Sequence, residues 1–247
     1  MNRPKILQRH AVATLAGREL KAYFQSPSAY VALFVFYLLT GYLFTAPLFL
    51  VGQASIKNLV DFAPLLLTFL VPALTMGLLS EEIKSGTFEN LATLPLEDAD
   101  IALGKFLGFA SLHLIAVAGL AFFPLVLAAL VRPPLGLDWG ETAGVLAALA
   151  FLGLMFGAAG LFTSSLGKNQ IVSFIGAFLI CFGLFAVGKL SNFAPGVAGR
   201  ISDFVGLDSH IETLAKGVID SRDLFYFAGA TLFFLYLTVQ RLQTRRF

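Results

Sequence analysis

The sequence predicts an all-α polytopic membrane protein with six transmembrane helices. Of its 247 residues, 57% are apolar and only 13% are charged, whereas a soluble domain carries about 25% charged residues. The mean hydropathy is +0.83. Six apolar runs have roughly the 20 residues that a spanning helix needs, and they cover residues 28–51, 62–80, 101–131, 142–166, 169–188 and 224–240.

Ionisable residues are almost absent from these six runs, and the exceptions are Lys105 and His113 of the third run. Lys105 lies near one end, from which its side chain can snorkel to the membrane surface. We expect His113 to be a hydrogen-bonded residue in the interior of the bundle. Ion-coupled transporters and proton relays use chains of acidic and histidine side chains within the membrane. The sequence therefore predicts no catalytic residue and no ion relay in the spans.

The remaining composition excludes other classes of site. The net charge of +2 is too small to indicate a nucleic-acid partner. The single cysteine, Cys181, lies in an apolar run, so neither a disulfide framework nor a cysteine-based metal site is expected. The three Met and three His residues are scattered along the chain, and we predict no metal site.

The distribution of Lys and Arg residues predicts the orientation, because cytoplasmic ends of spans are enriched in both. One side would carry Arg3, Lys5, Arg9, Arg18, Lys21, Lys84, Lys105, Lys168, Arg241, Arg245 and Arg246, and the other Lys57, Arg132, Lys189, Arg200, Lys216 and Arg222. The first, more basic side should be cytoplasmic. Both termini and the connection between the second and third spans would then face the cytoplasm.

Residues 7–25 predict an amphipathic helix in the membrane interface. Apolar Leu15 and Leu20 alternate there with charged Arg18, Glu19 and Lys21. Ser26-Pro27 should end this helix and begin the first span, because serine is a favoured cap and proline suits the first helical position.

Residues 199–219 predict a second amphipathic segment, on the external side. Its apolar residues recur every three or four positions, as on one face of a helix; they are Phe204, Leu207, Ile211, Leu214 and Val218. Charged residues and His210 occupy the other positions. An interfacial helix and a re-entrant helix between spans five and six both fit this pattern.

Residues 81–95 form a short polar hairpin between spans two and three. Gly86 should end the helix that leaves span two, and Thr87 should cap a new short helix with Glu89 in its first turn. Phe88, Leu91 and Leu94 would form an apolar ridge, and Pro95 follows. The residues themselves leave two readings open, a docking surface for a partner or an ordinary connection.

Glycines are spaced for close helix packing in the fourth run, where Gly153 and Gly157 form a GxxxG pair and Gly160 follows. Gly104 and Gly108 repeat the GxxxG spacing in the third run. Packing within one subunit, a helix surface that slides during a conformational cycle and contact with a second copy all fit the pattern.

The hairpin residues resemble a known family. Glu81-Glu82, Ser85-Gly86-Thr87, Glu89, Leu91 and Pro95, followed by Gly104-Lys105, are similar to the corresponding hairpin of ABC-2 type transporter permeases. Residues 24–31 (FQSPSAYV) and 217–226 (GVIDSRDLFY) resemble the gliding-motility permease branch, which is related to the permease of nitrous-oxide-reductase maturation.

The resemblance implies a single ABC-2 type transmembrane domain over residues 1–247, in the inner membrane of a bacterium. It implies a permease that pairs with a second copy of itself and with two ATP-binding subunits, and it allows an auxiliary periplasmic or membrane-anchored subunit. The permease would have no cofactor, since ATP and Mg²⁺ would bind the partner ATPase.

The resemblance also implies the roles of particular residues. Residues 7–25 would be the elbow helix, with Arg18, Glu19 and Lys21 on it. The hairpin would hold the coupling helix, which contacts the ATPase; its residues are Glu81, Glu82, Ser85, Gly86, Thr87, Phe88, Glu89, Leu91, Leu94 and Pro95.

Two other functions remain open from the sequence. The chain could be a membrane scaffold or anchor that works without ATP, because such a protein would also present a polar hairpin. A secondary transporter or channel is disfavoured by the lack of intramembrane charge. The 26 Phe residues suit export of a lipid or hydrophobic peptide, but helices that face lipid are rich in the same residue type.

Overall fold

The computed structural model describes residues 5–51, 56, 58–89, 96–130, 138–190, 202, 205–218 and 220–245. Within these ranges the chain forms α-helices joined by short turns, and it contains no strand. The helices are α1 (Lys5–Gln25), α2 (Pro27–Val51), α3 (Asn58–Thr75), α4 (Ser80–Ser85), α5 (Asp98–Leu120), α6 (Phe122–Leu130), α7 (Trp139–Leu166), α8 (Gln170–Leu190), α9 (Leu207–Ala215) and α10 (Ser221–Arg245).

Six stretches are long and apolar enough to cross a membrane, which confirms the predicted fold class. They are Pro27–Ala46, Leu59–Ser85, Asp98–Ala129, Trp139–Leu166, Gln170–Lys189 and Ser221–Arg245. The second stretch contains the α3–α4 break, where α3 ends at Thr75 and four turn residues precede α4. The third contains a break at Ala121, between α5 and α6.

Helix α7 lies at the centre of the bundle and packs against α3, α5, α8, α9 and α10. Its glycines make room for side chains of neighbouring helices. A methyl group at Gly153 would overlap the ring of His113, one at Gly157 would overlap the ring of Phe109, and one at Gly160 would overlap Thr75. All three glycines are therefore in contact with helices of the same chain.

Helix α9 covers one end of the bundle. Leu207, Ile211 and Leu214 are buried, and Lys189 Nζ of α8 lies 2.9 Å from Asp208 Oδ2. Val218 differs from the predicted apolar face, because it is exposed. The chain turns away after α9 at Gly217, which has a φ of 75°. Phe204 lies outside the described residues.

The other end of the bundle brings together α1, α4, the end of α7 and the end of α10. Arg245 of α10 donates a hydrogen bond to the carbonyl oxygen of Leu166 in α7, at 3.0 Å. Ser164, one half-turn earlier on α7, bonds the residues that lead into α4. We call this the junction end of the bundle.

Candidate functional site

Helix α1 packs closely on α5 because two glycines leave a notch in α5. A side chain at Gly104 would overlap Leu15, and one at Gly108 would overlap Glu19. Small residues with this spacing let two helix backbones approach closely. The notch places the carboxylate of Glu19 beside Lys105 on α5.

Four charged side chains then meet at the junction end, and we call them the junction network: Arg18, Glu19, Glu82 and Lys105. Lys105 Nζ lies 2.9 Å from Glu82 Oε1 and 3.2 Å from Glu19 Oε1. A guanidinium nitrogen of Arg18 lies 3.1 Å from Glu19 Oε1 and 3.3 Å from Glu82 Oε1. The network therefore connects α1, α4 and α5 through alternating charges.

The position of Lys105 corrects the prediction that it snorkels to the membrane surface. Its side chain is only 1% exposed, and its ammonium group is paired within the bundle. A buried charge that lacks a partner is strongly destabilising. Glu19 and Glu82 supply the opposite charge without any need for Lys105 to reach water.

The turn between α3 and α4 is held by Ser164 of α7. Its hydroxyl accepts hydrogen bonds from the backbone N–H groups of Leu79 and Ser80, each at 3.0 Å. It also donates to the carbonyl oxygen of Met76 at 2.9 Å. The sequence reasoning did not identify Ser164, because it lies 84 positions after Ser80 in a run that reads only as a spanning helix.

Helix α4 ends at Gly86, which adopts the left-handed conformation at φ 77° and ψ 0°. Helical geometry resumes at Thr87. The Thr87 hydroxyl lies 2.8 Å from that of Ser85, so it faces back toward α4, whereas the sequence predicts a forward cap. Phe88 is buried and Glu89 is exposed. Leu91, Leu94 and Pro95 lie outside the described residues.

The return of the hairpin is fixed by a cap at the start of α5. Glu97 and Asp100 form a reciprocal capping box, in which the backbone N–H of Glu97 donates to Asp100 Oδ2 at 3.1 Å. Such a box satisfies N–H groups that the first turn of a helix leaves without partners. Both connections of the hairpin to the bundle are therefore anchored.

A family model for the ABC-2 type transporter matches residues 10–192. The chain belongs to this family. The match runs from α1 through α8 and includes every residue of the junction network. A comparison with curated proteins found no match. Family membership makes the chain the membrane-spanning permease subunit of an ABC transporter.

The permease exposes one face of the hairpin to the surroundings. Its exposed residues are Glu81, Lys84, Ser85, Gly86, Thr87 and Glu89. Ser80, Ile83 and Phe88 are buried on the other face. The hairpin thus has a polar outer surface above side chains that pack into the bundle.

Tyr23 is a further link between α1 and the spans of the permease. Its hydroxyl donates to the carbonyl oxygen of Leu74 in α3 at 2.7 Å. Burial, and to a smaller extent the charge of Glu19, raises the pKa of Tyr23 well above its ordinary value. The hydroxyl therefore stays protonated and keeps its role as a donor.

The other sequence candidates lie apart from the junction network or point outward. Lys21 on α1 is exposed. His113 lies in the interior, where its Nε2 donates to the carbonyl oxygen of Leu149 at 3.2 Å. In the part of the chain that the structure describes, no three His, Cys, Asp or Glu side chains form a group that could hold a metal ion.

Proposed function

We propose that the permease converts ATP hydrolysis in separate ATP-binding subunits into movement of its spans, for export or for mechanical transmission across the membrane. The junction network supports this most directly. It joins α4, next to the exposed hairpin face, to α1 and to the buried Lys105 of α5.

A displacement of the hairpin would reach the spans by two routes. Glu82 would transmit it to α1 and α5, because its carboxylate contacts both Arg18 and Lys105. Ser164 would transmit it to the central helix α7, since it bonds the turn that precedes α4. Such a short anchored helix can act as a lever.

We further propose the assembly and orientation that the sequence predicts. The permease would pair with a second copy of itself, bind two ATP-binding subunits that carry ATP and Mg²⁺, and lie in a bacterial inner membrane with both termini cytoplasmic. The gliding-motility assignment stays a prediction, and one of its two segments, 217–226, lies beyond the family match.

The proposal can be tested by co-expressing the chain with candidate ATP-binding subunits, purifying it in nanodiscs and measuring co-purification and ATPase activity. Glu89→Lys reverses an exposed charge on the hairpin and should lower both. Glu212→Lys reverses an exposed charge on α9, at the other end of the bundle, and should change neither.

If Glu89→Lys and Glu212→Lys change co-purification and ATPase activity equally, the ATPase does not dock at the hairpin. An inserted, folded chain that binds no ATPase would instead favour the ATP-independent scaffold, because the hairpin would then be an ordinary connection.

A further inference from the structure

Helices α8 and α10 leave a gap between them along the central helix α7, which we call the α8–α10 gap. Both helices pack against α7, but their described residues make no extensive contact with each other. Helix α9 packs against all three and covers one end of the gap. On α8, Phe178 contacts Phe69 of α3, and the exposed Val172 and Leu179 lie on the side away from α3. The gap is therefore apolar and open to the bilayer.

Positive charges gather at the other end of the α8–α10 gap, which is the junction end. A terminal guanidinium nitrogen of Arg245 donates to the carbonyl oxygen of Leu166, the last residue of α7, at 3.0 Å. Arg241 lies one turn earlier on the same face of α10. Lys168 follows Leu166 by two residues and is exposed. The end of α10 and the turn from α7 to α8 thus bring three cations close together.

These cations have no negative partner among the described residues. None of the ion pairs formed there includes Arg241, Arg245 or Lys168. The two guanidinium groups are close enough for their charges to repel each other, and a nearby anion would offset this repulsion. In the junction network, by contrast, carboxylates alternate with cations. The end of the gap therefore favours an anionic occupant.

The arginines can donate to such an occupant through their terminal nitrogens. The Nε atoms of Arg241 and Arg245 are shielded from solvent, so an occupant does not reach them. The terminal nitrogens of Arg241 are accessible and bond no described residue, whereas those of Arg245 bond Leu166. Arginine binds phosphate groups through its terminal N–H donors.

A phospholipid fits both the cations and the apolar gap. Its phosphate would lie at the level where the sixth span ends, and an acyl chain would lie along the α8–α10 gap. Basic pockets between transmembrane helices bind anionic lipid headgroups. A free anion would contact only the cations and would gain nothing from the apolar surface beside them.

We propose that Arg241, Arg245 and Lys168 bind the phosphate of an anionic phospholipid whose acyl chain occupies the α8–α10 gap. Arg241 contributes most, because Arg245 also holds the carbonyl of Leu166. The lipid would connect the end of α10 to the turn between α7 and α8. This site does not require the proposed ATPase partner, and the experiment below uses the permease chain alone.

The test compares two lipids that differ in net charge. The chain is purified in micelles with equal amounts of phosphatidylglycerol and phosphatidylcholine, and retained lipids are counted by native mass spectrometry. Both headgroups carry one phosphate, but the three cations repel the choline cation. We expect about tenfold preferential retention of phosphatidylglycerol, the value of one charge-assisted hydrogen bond.

Matched variants localise the binding. Arg241→Gln removes one cation from the site, and Lys168→Gln removes another at an exposed position. Each should reduce the preference about fivefold, the contribution of one Lys or Arg near an anionic membrane surface. Arg222→Gln removes an exposed cation at the opposite end of α10, and it should retain the wild-type preference.

The proposal is overturned if phosphatidylglycerol is not preferred, if the preference survives in Arg241→Gln, or if Arg222→Gln lowers it equally. The last result would show that only the overall charge of the chain matters. A dimer that dissociates in Arg241→Gln, without any lipid preference, would also overturn the proposal, because the cations would then face a second copy of the chain.

A second arm tests free phosphate. Sodium phosphate is added to the chain in phosphatidylcholine nanodiscs, with sodium chloride at equal ionic strength as the control, and the melting temperature is measured. A rise with phosphate that is lost in Arg241→Gln, without any lipid preference, would assign the cations to a free anion and overturn the lipid site.

Discussion

Lys105 Nζ and Glu82 Oε1 lie 2.9 Å apart, and the lysine side chain is 1% exposed. The pair joins the third span to α4, the short helix at the end of the second. Its lysine has a second carboxylate, Glu19 of α1, at 3.2 Å. A buried charge that would be costly alone is therefore paired with two carboxylates where three helices meet at the junction end.

Replacing Lys105 with Met should lower the stability of the permease. Glu19 and Glu82 would lose their buried cation, and we expect a loss of about 3 kcal/mol, the low end for a broken buried pair, because Arg18 still contacts both carboxylates. The measurement is thermal unfolding in detergent. Lys21→Met, at an exposed position of α1, is the matched control.

The same pair can be tested by a double substitution. Glu82→Gln added to Lys105→Met should recover part of the loss, because it removes one of the carboxylates left uncompensated. If the stability losses of the single variants Lys105→Met and Glu82→Gln add up in the double variant, the carboxylate and the ammonium do not interact.

Gly108→Ala should lower the stability of the permease, whereas Gly183→Ala should raise it. A Cβ at Gly108 would overlap Glu19 and lie 3.2 Å from the carbonyl oxygen of Ala16, whereas nothing lies within 4 Å of one at Gly183. Overpacking costs about 1–3 kcal/mol, and Ala in open helix gains up to about 1 kcal/mol over Gly. A higher melting temperature for both variants would contradict the close α1–α5 contact.

Ser164→Ala should loosen the turn before α4. It leaves the backbone N–H groups of Leu79 and Ser80 without their acceptor, at a cost of about 1–3 kcal/mol. Hydrogen exchange should accelerate at both amides. Ser111→Ala serves as the control, since the Ser111 hydroxyl donates to the carbonyl of Leu107 in its own helix and bonds no other described residue. Unchanged exchange at Leu79 and Ser80 in Ser164→Ala would count against the role of Ser164.

Gly86→Ala should strain the end of α4. The left-handed conformation at φ 77° costs a residue with a Cβ about 1–2 kcal/mol. Gly86→Asn should restore much of the stability, because Asn tolerates this region. In the assembled transporter we expect ATPase stimulation to follow the same order, wild type above Asn above Ala. Identical stimulation in all three would show that the conformation of this turn does not affect coupling.

The hairpin shows how far sequence reasoning reaches. Gly86 was expected to end a helix, and it does so in the left-handed conformation. Thr87 was expected to cap the next helix, but its hydroxyl faces Ser85. Both expectations are local, and the second fails because a threonine hydroxyl can bond groups of the preceding turn as well as those of the following helix.

By itself, the sequence determined the membrane class and the six spans, because runs of about 20 apolar residues partition into a bilayer and form helices regardless of their neighbours. Only the tertiary structure decided the partners of Lys105, the role of Ser164 and which side chains the α7 glycines accept. Lys105 and Glu19 are 86 positions apart. Their contact depends on the packing of α1 into the Gly104–Gly108 notch of α5. The GxxxG spacing predicts a close helix contact there, but no local pattern of residues indicates that α1 is the helix that makes it.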